Sequence, residues 1–256
     1  MYDNEYDPIG GHTKEEADVA FEDLFRELHG DDGNSGGGNG GAGSAGDYNS
    51  DEGFVPTYIL TPSAADVDSV CAAISYANLK NTLMPSANYI PCASAEIPEG
   101  IVNALGLAIA KFPEEAEKAG DIEILTDESF DSDNEIILVG HNNPQISIEG
   151  FNKKKIVEII DCHGLQGFET DHAMNVRIQP LAAVSTIIAH MYRELDILPD
   201  SYFSSLLCIG IISATKGFQL ENTTQADRLE AVTLASRAGL DISDLAEKIE
   251  EAESIS

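Results

Sequence analysis

Strand-like and helix-like apolar patterns alternate along residues 55–252 of this 256-residue chain, and the alternation predicts an open, mostly parallel β-sheet with helices on both faces. Two further observations point to the same α/β class. The run Glu135-Ile136-Ile137-Leu138-Val139 is apolar without alternation, the pattern of a strand buried on both faces. Hydrophobic residues make up 43% of the chain, enough to fill an ordinary core.

Taken in order, residues 55–60 form the first predicted strand. A helix follows over 66–81, where Val67, Val70, Cys71, Ile74, Ala77 and Leu79 supply an apolar stripe. Residues 88–92 are a short strand, and 98–111 a helix with Pro98 at its start. Strands are predicted at 122–125, 135–139 and 155–160. Helical patterns then occupy 181–195, 201–215, 224–238 and 242–252. In sheets of this kind ligands bind beyond the carboxyl ends of the strands.

Residues 1–53 differ from the rest. They hold 14 acidic residues against only Lys14 and Arg26, a net charge of −12, and residues 30–46 are rich in Gly, Ser, Asn and Ala. This composition predicts a disordered acidic, glycine-rich tail before a folded domain over 54–256. Within the tail, Thr13 and Glu16 form a capping-box pattern. Ala17, Ala20, Phe21, Leu24, Phe25 and Leu28 recur at helical spacing, so a short helix is expected over 13–29. It either binds a protein partner, docks on its own domain, or is only nascent.

A formal charge of −31 opposes nucleic-acid binding unless metal ions intervene. No apolar run reaches the length of a membrane span, and the polar, acidic start is unlike a secretory signal. The expectation is a cytoplasmic protein with neither membrane nor nucleic-acid partners. Cys71, Cys92, Cys162 and Cys208 are scattered without a paired spacing and read as free thiols. No phosphate-binding loop or nucleophile elbow is present, and the glycine run at 36–41 lies in the tail.

The most informative stretch is Thr61-Pro62-Ser63-Ala64-Ala65-Asp66-Val67-Asp68-Ser69. Two aspartates at i, i+2 follow a strand and open a helix. Clustered carboxylate oxygens suit hard divalent cations. Aspartates are equally favoured there by capping and by the helix dipole, whatever the function.

Residues 67–81 resemble the opening helix of DHH-type phosphohydrolases, most closely the manganese-dependent (family II) inorganic pyrophosphatases and their exopolyphosphatase relatives. The resemblance runs in order from about Tyr58 to Leu240. Tyr89 to Ile97 looks like the next strand and turn. Leu138-Val139-Gly140-His141-Asn142 sits where the family has a strand ending in Asp-His-Asn, and Ile159-Ile160-Asp161-Cys162-His163 where it has Asp-His-His. Gly167-Phe168-Glu169-Thr170 follows that signature. Arg177 to Pro180 and Ser185 to Ile188 match the next strand and helix, and Ile209 to Phe218 with Asn222-Thr223-Thr224 the last motif.

The resemblance implies a pair of divalent metals held by carboxylates and histidines, and here the match is incomplete. Asp66 and Asp68 remain. The first-motif histidine falls at Pro62, the bridging aspartate at Gly140, the first histidine of Asp-His-His at Cys162, and the last aspartate at Ala214. His141, Asp161 and His163 survive as candidate catalytic groups. Asp66 and Asp68 are candidates for a residual, weak metal site, and Cys162 is a soft ligand poorly matched to manganese or magnesium. No cofactor is therefore expected, with weak binding of Mn2+ or Mg2+ on Asp66 and Asp68 as the residual alternative.

The family's second domain supplies basic side chains for phosphate. The sequence ends at Ser256 after Glu250, Glu251 and Glu253, so that basic clamp is expected to be missing. The functional expectation is a degenerate, catalytically inactive DHH-type protein. It would act by binding or regulation, through the tail helix or an exposed domain interface. The alternative is a metal-dependent phosphohydrolase, manganese-dependent and acting on pyrophosphate or another phosphoanhydride, with a rebuilt site. The resemblance also implies a homodimer through the edge of the sheet.

Overall fold

Six parallel strands form one sheet in the order β3-β2-β1-β4-β5-β6. The strands are β1 (Thr57–Leu60), β2 (Tyr89–Ala93), β3 (Glu123–Ile124), β4 (Glu135–Val139), β5 (Ile156–Asp161) and β6 (Asn175–Ile178). This computed structural model describes residues 55–120, 122–125, 134–143, 155–166 and 169–254. The tail helix expected at 13–29, the glycine-rich stretch and Gly167-Phe168 lie outside those residues. Strand order runs outward from β1 in one direction and from β4 in the other. The crevice beyond the carboxyl ends of β1 and β4 is therefore the topological switch point, where doubly wound sheets bind ligands.

The helices are α1 (Val67–Leu83), α2 (Glu99–Lys111), α3 (Pro113–Ala119), α4 (Val184–Glu194), α5 (Ser201–Ala214), α6 (Gln225–Ala238) and α7 (Ile242–Glu253). The main core lies on one face of the sheet. There Ile59, Ile137, Val139 and Ile160 meet Val70, Cys71 and Ile74 of α1, Ile187 of α4, and Leu206 and Ile209 of α5. α1 and α5 are buried around most of their circumference, which is why their sequences are apolar well beyond a single stripe. Tyr58, Leu60, Ile136 and Leu138 form a smaller cluster on the opposite face, as the two-residue alternation of strands requires, and Ile156 and Ile159 both join it because the β4–β5 pairing carries a register shift. No described helix is long and apolar enough to cross a membrane.

Two elements escape the periodicity argument. α3 buries no residue, so it carries no apolar stripe; Pro113 at its first turn and good helix formers define it. β6 is a four-residue edge strand, exposed or half-buried throughout, that pairs only with β5. A third difference has a tertiary cause. α4 begins at Val184 rather than near Leu181, and its N-cap residue, Ala183, has no side-chain acceptor. The acceptor comes from α1, as described below.

Local caps fix the other buried helix starts. Asp66 and Ser69 form a capping box on α1, Asp200 accepts from Phe203 N on α5, and Asp241 accepts from Ser243 N and Asp244 N on α7. The α6 cap does more than end a helix. Asp227 is fully buried and closes a capping box with Thr224. Its carboxylate also accepts Thr186 Oγ1 at 2.7 Å and Ala182 N at 3.2 Å, tying α6 to α4 and to the loop before it. Replacement of Asp227 by Ala leaves those donors unsatisfied in the core. Urea unfolding of Asp227→Ala should show a loss of about 2–4 kcal/mol, against about 1 kcal/mol for Thr224→Ala, which removes only the cap.

Candidate functional site

A cleft of about 380 Å3 opens at the switch point. The end of β1 contributes Leu60, Thr61, Pro62, Ser63 and Ala64, and the start of α1 contributes Asp66. Ser94 follows β2; Gly140, His141 and Asn143 follow β4; Asp161, His163 and Gln166 follow β5. Two carboxylates and two imidazoles thus line the cleft, and no Lys or Arg is among these lining residues.

The two aspartates that open α1 separate in role. Asp66 is exposed at the cleft, with Oδ1 accepting from Ser69 N at 2.7 Å as the helix cap. Asp68 is buried and does not line the cleft. Its Oδ2 accepts from Val184 N at 2.7 Å and its Oδ1 from Ser185 N at 3.0 Å. These are the first backbone donors of α4, so Asp68 caps that helix from across the core. Gly210 of α5 makes room for the arrangement. A Cβ there would lie 2.3 Å from Ser185 Oγ and 2.9 Å from Asp68 Oδ1. Burial and the nearby Asp66 charge raise the Asp68 pKa to about 7, against the opposing pull of the Ser185 and Val184 donors.

Asp161, at the end of β5, is also fully buried, and its carboxylate accepts from four donors. Oδ1 accepts from Cys162 N at 2.8 Å, His163 N at 3.2 Å and His163 Nδ1 at 2.7 Å. Oδ2 accepts from Asn142 Nδ2 at 2.6 Å. Because the carboxylate can only accept, Nδ1 of His163 is the donor in this pair. Asn142 completes a latch: Nδ2 also donates to Gly164 O at 3.0 Å, and Oδ1 accepts from Gln166 N at 2.7 Å. The loop carrying Cys162 and His163 is therefore held by one Asp and one Asn. His163 is 60% exposed within that fixed loop.

His141 is half-buried, and burial, the largest influence on it, lowers its pKa despite favourable contacts with the Leu60 and Asn143 backbone. Its Nε2 is buried without a hydrogen-bond partner. Cys162 packs partly against the main core. Burial, followed by the charges of Asp68, Asp161 and Asp66, pushes its thiol pKa up. Donor atoms of Asp161, Cys162 and His163 lie within 4.8 Å of one another, the one such trio of His, Cys, Asp or Glu among the described residues. Asp66 and His141 line the same cleft without joining that trio.

Gly140, where the resemblance places a bridging carboxylate, has φ +79°, and a Cβ built on it would lie 2.9 Å from Ser69 Cβ and 3.7 Å from Pro62 Cδ. The change is thus built into the backbone, beyond the loss of one side chain. Ala214, at the last acidic position, packs against the main core. The surrounding hydroxyl and amide residues of the cleft, Thr61, Ser63, Ser94 and Gln166, carry no signal in the sequence that would single them out.

A parallel α/β domain with acidic and histidine side chains gathered beyond β1, β4 and β5 defines a class. The family model described as "DHH family, N-terminal domain" matches residues 56–211, and the chain belongs to the DHH family. Within it, the chain is 32% identical over 184 residues to a Clostridium acetobutylicum protein named "Probable manganese-dependent inorganic pyrophosphatase", covering 72% of this chain and 55% of that protein. It is 31% identical over 177 residues to the manganese-dependent inorganic pyrophosphatase of Bacillus subtilis, covering 69% and 53%. The chain thus spans about half the length of the curated relatives it matches. A Methanococcus jannaschii structure assigned to family II inorganic pyrophosphatases shares the fold, with a TM-score of 0.61 at 23% identity over 77% of this chain and 61% of that one.

These names overturn one expectation. The reading that no cofactor is needed stands against relatives that are manganese-dependent by name. That reading counted the changed positions singly and gave too little weight to donors that remain together, Asp161, Cys162 and His163 above all.

Two measurements follow from the geometry. Gly140→Ala forces a Cβ into Ser69 and a left-handed backbone, so its unfolding free energy should fall by about 2–4 kcal/mol. Asp68 gives a pH signature. Its folded pKa lies above the ordinary carboxylate value, so the folded state holds the proton more tightly and its contribution is complete below about pH 4. That contribution is lost as pH rises through about 7. Thermal midpoints measured in chelator between pH 4 and 7 should carry this downward slope in the parent and not in Asp68→Asn.

Proposed function

We propose that the cleft holds a single divalent cation and, through it, binds a phosphate-bearing ligand, so that the chain acts by binding rather than by fast two-metal hydrolysis. The observation that carries this reading is Gly140. Gly140 offers no carboxylate to bridge two cations, and Ser69 crowds the place where its Cβ would stand, so the mutual repulsion of a metal pair lacks that compensation. The donor set suits one cation. Asp161, Cys162 and His163 would hold it, and the orphaned Nε2 of His141 belongs to the same cleft. When bound, the cation supplies the positive charge that phosphoryl oxygens need.

The chain's own residues account for the rest. Without Lys or Arg in the lining, a phosphate group has no side-chain cation to meet. The hydroxyls of Thr61, Ser63 and Ser94 and the amide of Asn143 supply neutral polar contacts at the cleft wall. Asn142 and Asp161 keep the wall rigid by fixing the loop from Cys162 to Gln166.

A second reading has one observation in its favour. His163, held by Asp161 at 2.7 Å through Nδ1, has the arrangement of a general base acting through Nε2. Under that reading the chain is a slow, metal-dependent phosphohydrolase, and pyrophosphate is the first substrate to try, given what the relatives are named for.

Calorimetric titration of pyrophosphate into the full chain, with and without Mn2+, separates the readings when phosphate release is followed beside it. Binding that requires the cation, with no release above an Asp66→Ala/His163→Ala control, is the expected result. Chelator-sensitive release that the double variant abolishes would establish the hydrolase instead. No binding under either condition would sink the proposal.

A further inference from the structure

We infer that Cys162 makes this centre selective for a thiophilic divalent cation, such as zinc or cobalt(II), over manganese; the inference deepens the single-cation reading above and rests on it. Three donors of different kinds meet here: a buried carboxylate, a thiol and an imidazole, within 4.8 Å of one another. Cys162 Sγ lies 4.0 Å from His163 Nδ1. Bonds of about 2.3 Å to sulfur and about 2.0–2.1 Å to nitrogen reach across up to about 4.3 Å, so one ion can touch both without the loop moving. His163 Nδ1 and Asp161 Oδ1 are 2.7 Å apart, so an ion about 2.0–2.2 Å from each would sit to the side of the line joining them and take the place of their hydrogen bond.

Donor chemistry then decides which ion. Manganese and magnesium favour oxygen donors, whereas thiolate with imidazole favours zinc and its neighbours at the upper end of the divalent series. Ligation requires the thiolate, so the thiol proton leaves to solvent as the metal binds. The loop is stiff, because Asn142 and Asp161 hold its backbone at both ends.

Cobalt(II) reports on the sulfur directly. The full chain, stripped with chelator, is titrated with Co2+ while the near-ultraviolet thiolate-to-cobalt charge-transfer band is recorded. One equivalent should saturate the band. Cys162→Ser and Cys162→Ala should abolish it while circular dichroism stays unchanged. Two variants are used so that a folding defect in one does not decide the matter. The assignment to Cys162 is secure because Cys71, Cys92 and Cys208 are each 0% exposed. Zinc should displace cobalt, and the preference for zinc over manganese should be about tenfold or more.

Cobalt bound without the band, a band that survives in both variants, or manganese displacing cobalt as readily as zinc does would each overturn the inference. The two proposals fail separately. Cation-dependent pyrophosphate binding with no cobalt–thiolate band removes only the metal preference. A clean band with no phosphate ligand bound removes only the proposed function.

Discussion

Asp68 is the constraint around which the site is arranged. A buried carboxylate is costly unless its oxygens are satisfied, and both oxygens of Asp68 are taken by the first backbone donors of α4. The bond is reciprocal. α4 has no cap of its own, since Ala183 stands at its start, so the helix begins where Asp68 reaches it. α1 and α4 are thereby locked, and α5 can pack against the junction only because Gly210 has no side chain. Thr186, one residue further along α4, passes the restraint to Asp227 and α6. Four helices meet through two buried aspartates.

That arrangement limits what the cleft can hold. With Asp68 committed to a helix, the carboxylates left at the cleft are Asp66 and Asp161. Asp161 is itself engaged in holding the Cys162–His163 loop, so it orients neighbouring groups even where it could also ligate. Ser69, the partner of Asp66 in the capping box, fills the space beside Gly140. A residue that caps the start of α1 thus also crowds position 140.

Charge adds a second constraint. The chain carries −31 overall, and no Lys or Arg lines the cleft. A phosphate group entering such a site needs a cation to come with it or to be there already. Relatives named as manganese-dependent and a cleft without Lys or Arg both favour the cation proposed above, although the surviving donors are not the set that the family motifs imply.

Sequence alone determined the fold class and the order of most strands and helices. Those follow from apolar periodicity and from the order of short motifs, both of which depend only on neighbours along the chain. It also placed Asp66, Asp68, His141, Asp161, Cys162 and His163 in one region. It did not distinguish Asp66 from Asp68, since two aspartates at i, i+2 look alike until a second helix arrives to claim one of them. Nor did it find α3, which buries too little to leave a pattern, or the latch made by Asn142, and β6 was legible only through the family resemblance at Arg177 to Pro180. Tertiary structure decided which carboxylate is structural, why position 140 must be glycine, and that a carboxylate, a thiol and an imidazole meet beyond β5. The first two rest on contacts between residues far apart in the chain, 117 positions for Asp68 and Ser185, which no local pattern encodes; the third joins consecutive residues whose donor atoms only the folded turn after β5 brings together.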